Sequence, residues 1–180
     1  MQRKCFPTFQ RGLSLVEICV VLAIVSILAG SALPSFDSLL EARRLDGQAA
    51  ELAIDLRYVR SEAVARNEGV RVSFQTPAGG VCTVVHTGAT ADCTCDGSGV
   101  AQCSNGATAL KTTFYPVGRG TSVNANVASM RFDPINGTVS PAGTVRVTTS
   151  SGAEVHHVVN ILGRVRTCSP GGSAKGYKVC

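Results

Sequence analysis

A chain of 180 residues has room for one ordinary domain and a helical arm, and is too short for two independent cores. Hydrophobic residues make up 44% of it, but residues 18–36 hold no charge while later segments alternate, so part of the excess is a membrane signal and a simply soluble protein is excluded. Three of the five net positive charges come from Arg3, Lys4 and Arg11; beyond residue 68, nine Lys and Arg face only Asp92, Asp96, Asp133 and Glu154, so the head is basic.

The first element is the uncharged run, long enough for a helix to cross a bilayer core, which takes about 20 mostly apolar positions. An ordinary secretory signal has this layout, with Gly30-Ser31-Ala32 as its small-residue cleavage site. Against that stands Arg11-Gly12-Leu13-Ser14-Leu15-Val16-Glu17, where a glycine precedes the run and one carboxylate follows five residues later. This motif resembles the class III leader of type IV pilins. The resemblance implies that residues 1–12 are a leader, that a prepilin peptidase cuts after Gly12, and that Leu13 becomes the N-methylated first residue. Residues 13–36 are then kept as a transmembrane and filament-core helix, a single pass through the inner membrane. Glu17 has a physical role in this scheme. A carboxylate in hydrocarbon is costly without a cation, and the resemblance supplies the first-residue amine of a neighbouring subunit. Pro34 falls 22nd after the cut, where pilin helices commonly kink. Cys5 leaves with the leader, and Cys19 is an unpaired packing residue of the apolar helix.

From residue 37 the pattern turns amphipathic. Leu39, Leu45, Ala49, Leu52, Leu56, Val59 and Ala63 recur every three or four positions with charges between them, which predicts a helix over residues 37–68 with Gly69 as its stop. The period then shortens to two. Residues 70–74, 81–86, 110–115, 129–132, 144–149 and 155–162 read as strands, so residues 69–180 form a β-rich head. Asp133-Pro134-Ile135-Asn136-Gly137 is turn chemistry between two of them, and explains Asn136-Gly137-Thr138 better than glycosylation does. Residues 88–107 are rich in Gly, Ser, Asp and Cys without apolar periodicity, and read as a long loop tied by disulfides. The fold class is α+β: a type IV pilin-like long N-terminal helix, its first half membrane-spanning, packed on a β-rich globular head. Across almost the whole chain this order resembles the FimT/GspH family of minor pilins and pseudopilins.

Six cysteines lie beyond the apolar run: Cys82, Cys93, Cys95, Cys103, Cys168 and Cys180. An even number in an exported segment reads as disulfides, with the connectivity open. Cys82, Cys93, Cys95 and Cys103 with His86 have donor types that suit zinc, but they lack paired Cys-x-x-Cys units, so disulfides are preferred and neither metal nor cofactor is expected. The adjacent His156 and His157 point to opposite faces of a strand, and no nucleophile elbow or His-Glu-x-x-His helix occurs, which argues against an enzyme.

The basic end carries the functional signal. If the strand that begins at Val155 continues through Gly163-Arg164-Val165-Arg166, Arg164 and Arg166 share one face, and each guanidinium fork grips a phosphate without reading sequence. The bland alternative is charge that keeps an edge strand from aggregating. Residues 163–180 hold four Lys and Arg and no acid, and a Cys168–Cys180 bridge, worth roughly 3 kcal/mol by loop closure, would hold Lys175 and Lys178 nearby. The segment is similar to the Gly-Arg-x-Arg motif of FimT-type minor pilins that bind DNA for natural transformation, and this implies a DNA site at Gly163, Arg164, Arg166, Lys175 and Lys178. The expected function is that of a minor pilin of a type IV pilus with non-sequence-specific binding of double-stranded DNA. Its partners would be other pilin subunits, the prepilin peptidase and the inner membrane, with a periplasmic head that joins the filament on assembly. The rival is a GspH-like pseudopilin of a type II secretion system. A third reading is a secreted disulfide-rich module with an ordinary signal peptide. Intact-mass measurement of the mature chain is expected to give a first residue of Leu13; a chain that starts at Leu33 would establish the secretory signal instead.

Overall fold

The computed structural model describes residue 12 and residues 14–180, with side chains for all of these but residues 31–35. Arg3, Lys4, Cys5, Arg11 and Leu13 lie outside the described residues, as does the side chain of Pro34. Two compact units result, Met1–Leu39 and Leu40–Cys180. A single helix, α1 (Leu15–Arg66), contributes residues 15–39 to the first and residues 40–66 to the second.

In the first unit the Ser14 hydroxyl caps the helix, accepting the Glu17 N–H at 3.2 Å. Every described side chain from Leu15 to Leu28 is exposed, including Leu15 at 78% and Ile27 at 72%, and Cys19 is a free, exposed thiol. Among the described residues no helix is long and apolar enough to cross a membrane.

The second unit is built on the amphipathic stripe. Leu45, Ala49, Leu52, Leu56, Val59 and Ala63 are all buried, whereas Leu39, expected on the same stripe, is 52% exposed. Eleven strands follow: β1 (Val70–Gln75), β2 (Gly80–Thr87), β3 (Cys93–Cys95), β4 (Ala101–Cys103), β5 (Ala109–Pro116), β6 (Thr121–Ala125), β7 (Ser129–Phe132), β8 (Val139–Ser140), β9 (Gly143–Thr149), β10 (Glu154–Val159) and β11 (Val165–Cys168). They form a five-stranded sheet in the order β5-β2-β1-β7-β8 and a four-stranded sheet in the order β11-β10-β9-β6, with β3 and β4 as a separate hairpin; every ladder is antiparallel. The core joins the helix stripe to Val70, Val72, Phe132 and Val139 of one sheet and Val145, Val147, Val155 and Val159 of the other. One buried charge ties helix to sheet: Asp55 receives the Lys111 ammonium and the Thr113 hydroxyl of β5, so its carboxylate is paired on both oxygens.

Three expectations are corrected. Residues 88–107 are a hairpin, not a loop: Cys93 and Cys103 pair across it, and Cys95 is bonded to Cys82 of β2. The hairpin covers the outer face of the five-stranded sheet with a small second core of Cys82, Val84, Cys93 and Cys95, which is why β2 is buried on both faces. Its apolar content resides in the disulfides, so no hydrophobic period announces it. The strand predicted over residues 155–162 ends at Val159. The helix stop is Asn67 and not Gly69. Asn67 takes the left-handed conformation at φ 52°, the Glu68 N–H reaches the Ala63 carbonyl at 3.2 Å, and the Asn67 N–H reaches Val64. This is a Schellman closure, and asparagine tolerates it because its short polar side chain does. Gly69 is small for a different reason: a Cβ there would lie 2.4 Å from the Arg131 guanidinium. The replacement Asn67→Ala is expected to cost about 1 kcal/mol, and Asn67→Gly to leave stability unchanged or higher, as read by urea unfolding.

Candidate functional site

The turn between β10 and β11 positions the basic residues. Asn160 closes it twice: its backbone N–H donates to the Arg164 carbonyl at 3.2 Å, and its side-chain Oδ1 accepts the Arg164 N–H at 3.0 Å. The Gly163 N–H donates to the Asn160 carbonyl at 2.9 Å with φ at 71°, a conformation glycine enters freely. Gly163 is also buried against the Asp133–Gly137 turn, where a Cβ would meet the Gly137 carbonyl oxygen at 2.2 Å. That second turn is stiffened by Asp133 Oδ1, which accepts the N–H groups of Ile135 and Asn136. The Val139 N–H, donating to the Ile161 carbonyl at 2.9 Å, fastens the two turns together.

The expected continuous strand through Arg166 is therefore replaced by a hairpin, and the shared face of Arg164 and Arg166 does not arise from strand alternation. Arg164 stands in the turn and Arg166 lies two residues on, in the edge strand β11 opposite Val158; both side chains are exposed. Lys175 and Lys178 do not join them. The Cys168–Cys180 disulfide and a Ser169–Val179 bridge hold the tail at the far end of β11, where the Ser169 N–H donates to the Lys178 carbonyl. An extended strand puts Arg164 and Ser169 about 17 Å apart.

What the structure brings to Arg164 instead is the outer face of α1. Arg57, Arg60, Ser61, Val64 and Ala65 of the helix, with Gly163, Arg164 and Val165 of the hairpin, line an open groove of about 640 Å³. Three arginines line it and no carboxylate does. The Arg60 guanidinium lies against Gly137 and Gly163, so the glycines make room for it. Among the described residues, none of Arg57, Arg60, Arg164 and Arg166 takes part in an ion pair, whereas Arg66 is bound to Glu62 on the same helix. The sequence reading passed over Arg57 and Arg60 as ordinary helix charges. Their i, i+3 spacing, which puts them on one face, was the available signal.

His157 sits behind this surface. It is fully buried, its Nδ1 is 3.0 Å from the Thr167 hydroxyl, and its Nε2 has no protein partner. Burial, then the charge of Arg57 and then His156, push its pKa down to about 4. Its neighbour His156 points the other way, 2.9 Å from Glu154. The remaining predicted residues stand apart. Gly12 is exposed, a Cβ there meeting nothing within 4 Å among the described residues, Glu17 is exposed in the first helical turn, and Leu13 is outside the described residues. The zinc alternative loses its ligands, because Cys82, Cys93, Cys95 and Cys103 are all in disulfides. His86 is buried, its Nδ1 donating to the Thr87 carbonyl and its Nε2 accepting from the Ser73 hydroxyl, and burial holds its pKa below the usual value. Among the described residues no group of three or more His, Cys, Asp or Glu could hold a metal ion.

A family model described as "Type II transport protein GspH" matches residues 48–163, well over half the chain. The chain belongs to the GspH family. The match begins within α1 and stops at Gly163, so Arg164, Arg166 and the tail lie beyond it. The crystal structure of the type IV minor pilin FimU of Pseudomonas aeruginosa is similar in fold, with a TM-score of 0.51 at 19% identity, covering 71% of this chain and 93% of that one. A second crystal form of FimU gives 0.46 at 17% identity, covering 69% and 96%. No curated protein matches. This GspH-family chain thus has the helix and β-rich head of a type IV pilin-like fold.

His157 gives the head an acid dependence whose sign follows from its depressed pKa. Between about pH 6.5 and 4 the unfolded chain binds a proton that the folded chain does not, so stability is full above pH 6.5 and falls as pH drops toward 4. The loss is on the order of 3 kcal/mol. Urea midpoints near pH 7 and near pH 4.5 measure it, and the drop is expected to shrink in His157→Gln.

Proposed function

We propose that this GspH-family chain is a minor pilin of a type IV pilus that binds double-stranded DNA, without sequence preference, along the arginine groove. One observation carries the reading: Arg57, Arg60 and Arg164 converge on one open groove that no carboxylate lines, while Arg166 stands exposed on the outer face of β11. Unpaired guanidinium groups on two separate elements are costly to gather unless an anion neutralises them, and a phosphate backbone offers anions at regular spacing. Gly163 belongs to the site as the residue that lets Arg60 and the turn approach each other, and Lys175 and Lys178 belong to a second, more distant basic patch.

The rest of the scheme follows the N-terminal motif. A prepilin peptidase cuts after Gly12, Leu13 is methylated, and the exposed apolar helix anchors the chain in the inner membrane with the head in the periplasm. An apolar helix exposed on all sides needs lipid or other subunits around it, which supports both anchoring and packing with neighbouring pilins. There Glu17 meets the neighbouring subunit's terminal amine. The family match favours a second reading, a pseudopilin of a type II secretion system, in which the same fold joins a short periplasmic filament. Gene deletion that abolishes secretion while leaving twitching and transformation intact would select it.

Titration of the full chain in detergent with duplex DNA at about 50 and 200 mM salt tests the groove. Each phosphate contact contributes about −0.9 to the slope of log K against log salt, so a slope of about −3 is expected from the three groove arginines. The Arg57→Ala, Arg60→Ala pair should bring it down by about two-thirds and Arg164→Ala by about one-third, whereas Arg166→Ala should leave it nearly unchanged. A wild-type chain that does not bind at the lower salt would remove the DNA function and leave the secretion reading.

A further inference from the structure

The β10–β11 turn is apolar where turns are ordinarily polar. Gly, Pro, Asn, Asp and Ser dominate turn positions, because they reach the required backbone angles or bond their own backbone. Three other hairpin turns of the head close in the same way, with an N–H of the fourth residue on the carbonyl of the first, and carry Ala78-Gly79, Gly97-Ser98 and Ser150-Ser151 between them. The turn closed by the Gly163 N–H on the Asn160 carbonyl carries Ile161-Leu162. These two side chains are 65% and 64% exposed and belong to neither hydrophobic cluster of the head.

The tip is held in place. Asn160 bonds Arg164 through both its backbone N–H and its side-chain oxygen, and the Ile161 carbonyl accepts the Val139 N–H, so little ordering remains to be done on binding. Two residues beyond Leu162 stands Arg164, which lines the groove with Arg57 and Arg60; no carboxylate lines it, and none of the three enters an ion pair among the described residues. A surface that covers the aliphatic tip therefore also meets these guanidinium groups, and has to offer an apolar slot framed by anions. The minor groove of duplex DNA is such a surface. Its floor is base edges, its walls are lines of phosphates, and its width of about 6 Å suits a two-residue turn tip, whereas the major groove is about twice as wide.

We infer that the Ile161-Leu162 turn is a wedge that enters the minor groove of duplex DNA and partly unstacks a base step, while the groove arginines hold the flanking phosphates. This rests on the DNA-binding proposal for the groove and adds the way the duplex is engaged. Aliphatic wedges between base steps open the stack and kink a duplex toward the major groove, by roughly 20–90°. Such side chains make no hydrogen bond to a base edge, so the wedge is consistent with binding that does not read sequence. It also accounts for two exposed aliphatic residues at the one hairpin tip that stands beside the unpaired arginines.

The test uses the full chain in detergent and a duplex of about 20 base pairs, short enough to behave as a stiff rod when free. The duplex carries 2-aminopurine at several positions, to report unstacking, and a donor and acceptor dye at its two ends, to report bending. On binding at about 50 mM salt, 2-aminopurine fluorescence is expected to rise by about twofold and energy transfer between the ends to increase. The Ile161→Ser, Leu162→Ser pair is expected to lose both signals and to keep the salt slope of about −3, because the arginines are untouched. Its urea midpoint should match the wild type, since both side chains are exposed. Arg164→Ala should do the reverse, lowering the slope while saturating protein still unstacks the duplex. The wedge is overturned, and DNA binding kept, if the wild-type chain binds with the expected slope and neither signal changes. Both signals surviving in the serine pair overturns it too, and assigns the tip to a protein contact. Absence of any binding by the wild-type chain removes the DNA-binding proposal itself and the wedge with it.

Discussion

Burial of one stripe of α1 is the constraint on which the head depends. Leu45, Ala49, Leu52, Leu56, Val59 and Ala63 meet the inner faces of both sheets, and each leucine removed from water contributes roughly 1.5–3 kcal/mol. Because the two sheets share no ladder, this stripe and the valines it touches are what hold them as one body. The alternation of small and large residues along the stripe lets β1, β7, β9 and β10 approach it with Val70, Phe132, Val147 and Val155, all fully buried. A Lys111–Asp55 pair then fixes the helix against β5, and loss of Lys111 would leave the buried Asp55 carboxylate with only the Thr113 hydroxyl.

One flank of the buried stripe of α1 is thereby released for function. A helix that commits Leu56, Val59 and Ala63 inward must turn Arg57, Arg60 and Val64 outward, and the β10–β11 turn arrives beside them because it is fastened to the Asp133–Gly137 turn. The glycines at 137 and 163 are therefore part of the groove's construction: side chains at either would collide with Arg60 or with backbone. His157, neutral beneath Arg57, keeps a second positive charge out of the same region at physiological pH. Groove, turns and buried imidazole thus form one electrostatic arrangement supported by the helix packing.

The disulfides perform a different task from the one that cysteine-rich loops suggest. Cys82–Cys95 and Cys93–Cys103 supply the apolar body of a hairpin that covers one sheet face, and Gln75 completes it by bonding the Cys93 carbonyl and the Cys95 N–H. Cys168–Cys180 anchors the tail alongside Ser169 and so keeps the two lysines away from the arginines. One sheet face is covered and the tail fixed by these devices.

Much was legible in the residues alone. The three- and four-residue spacing of Leu45 through Ala63, the period-two segments and the Asp133–Gly137 turn are local patterns, and local patterns follow from backbone geometry that each residue carries with it. The family placement and the helix-plus-β-head architecture rest on these. Other features depend on residues distant in sequence. Asn67 closes the helix, while Gly69 is kept small by Arg131, some sixty positions later. The strand after Val155 breaks at Asn160 because its side chain can cap the turn and Gly163 must clear Gly137. Strand β6 carries no apolar run long enough to announce itself, and Arg57 and Arg60 gain a role only when the β10–β11 hairpin is laid beside them. Periodicity determined which face of each element is buried; only tertiary packing decided which exposed groups meet, because that depends on contacts between segments whose separation along the chain leaves no local trace.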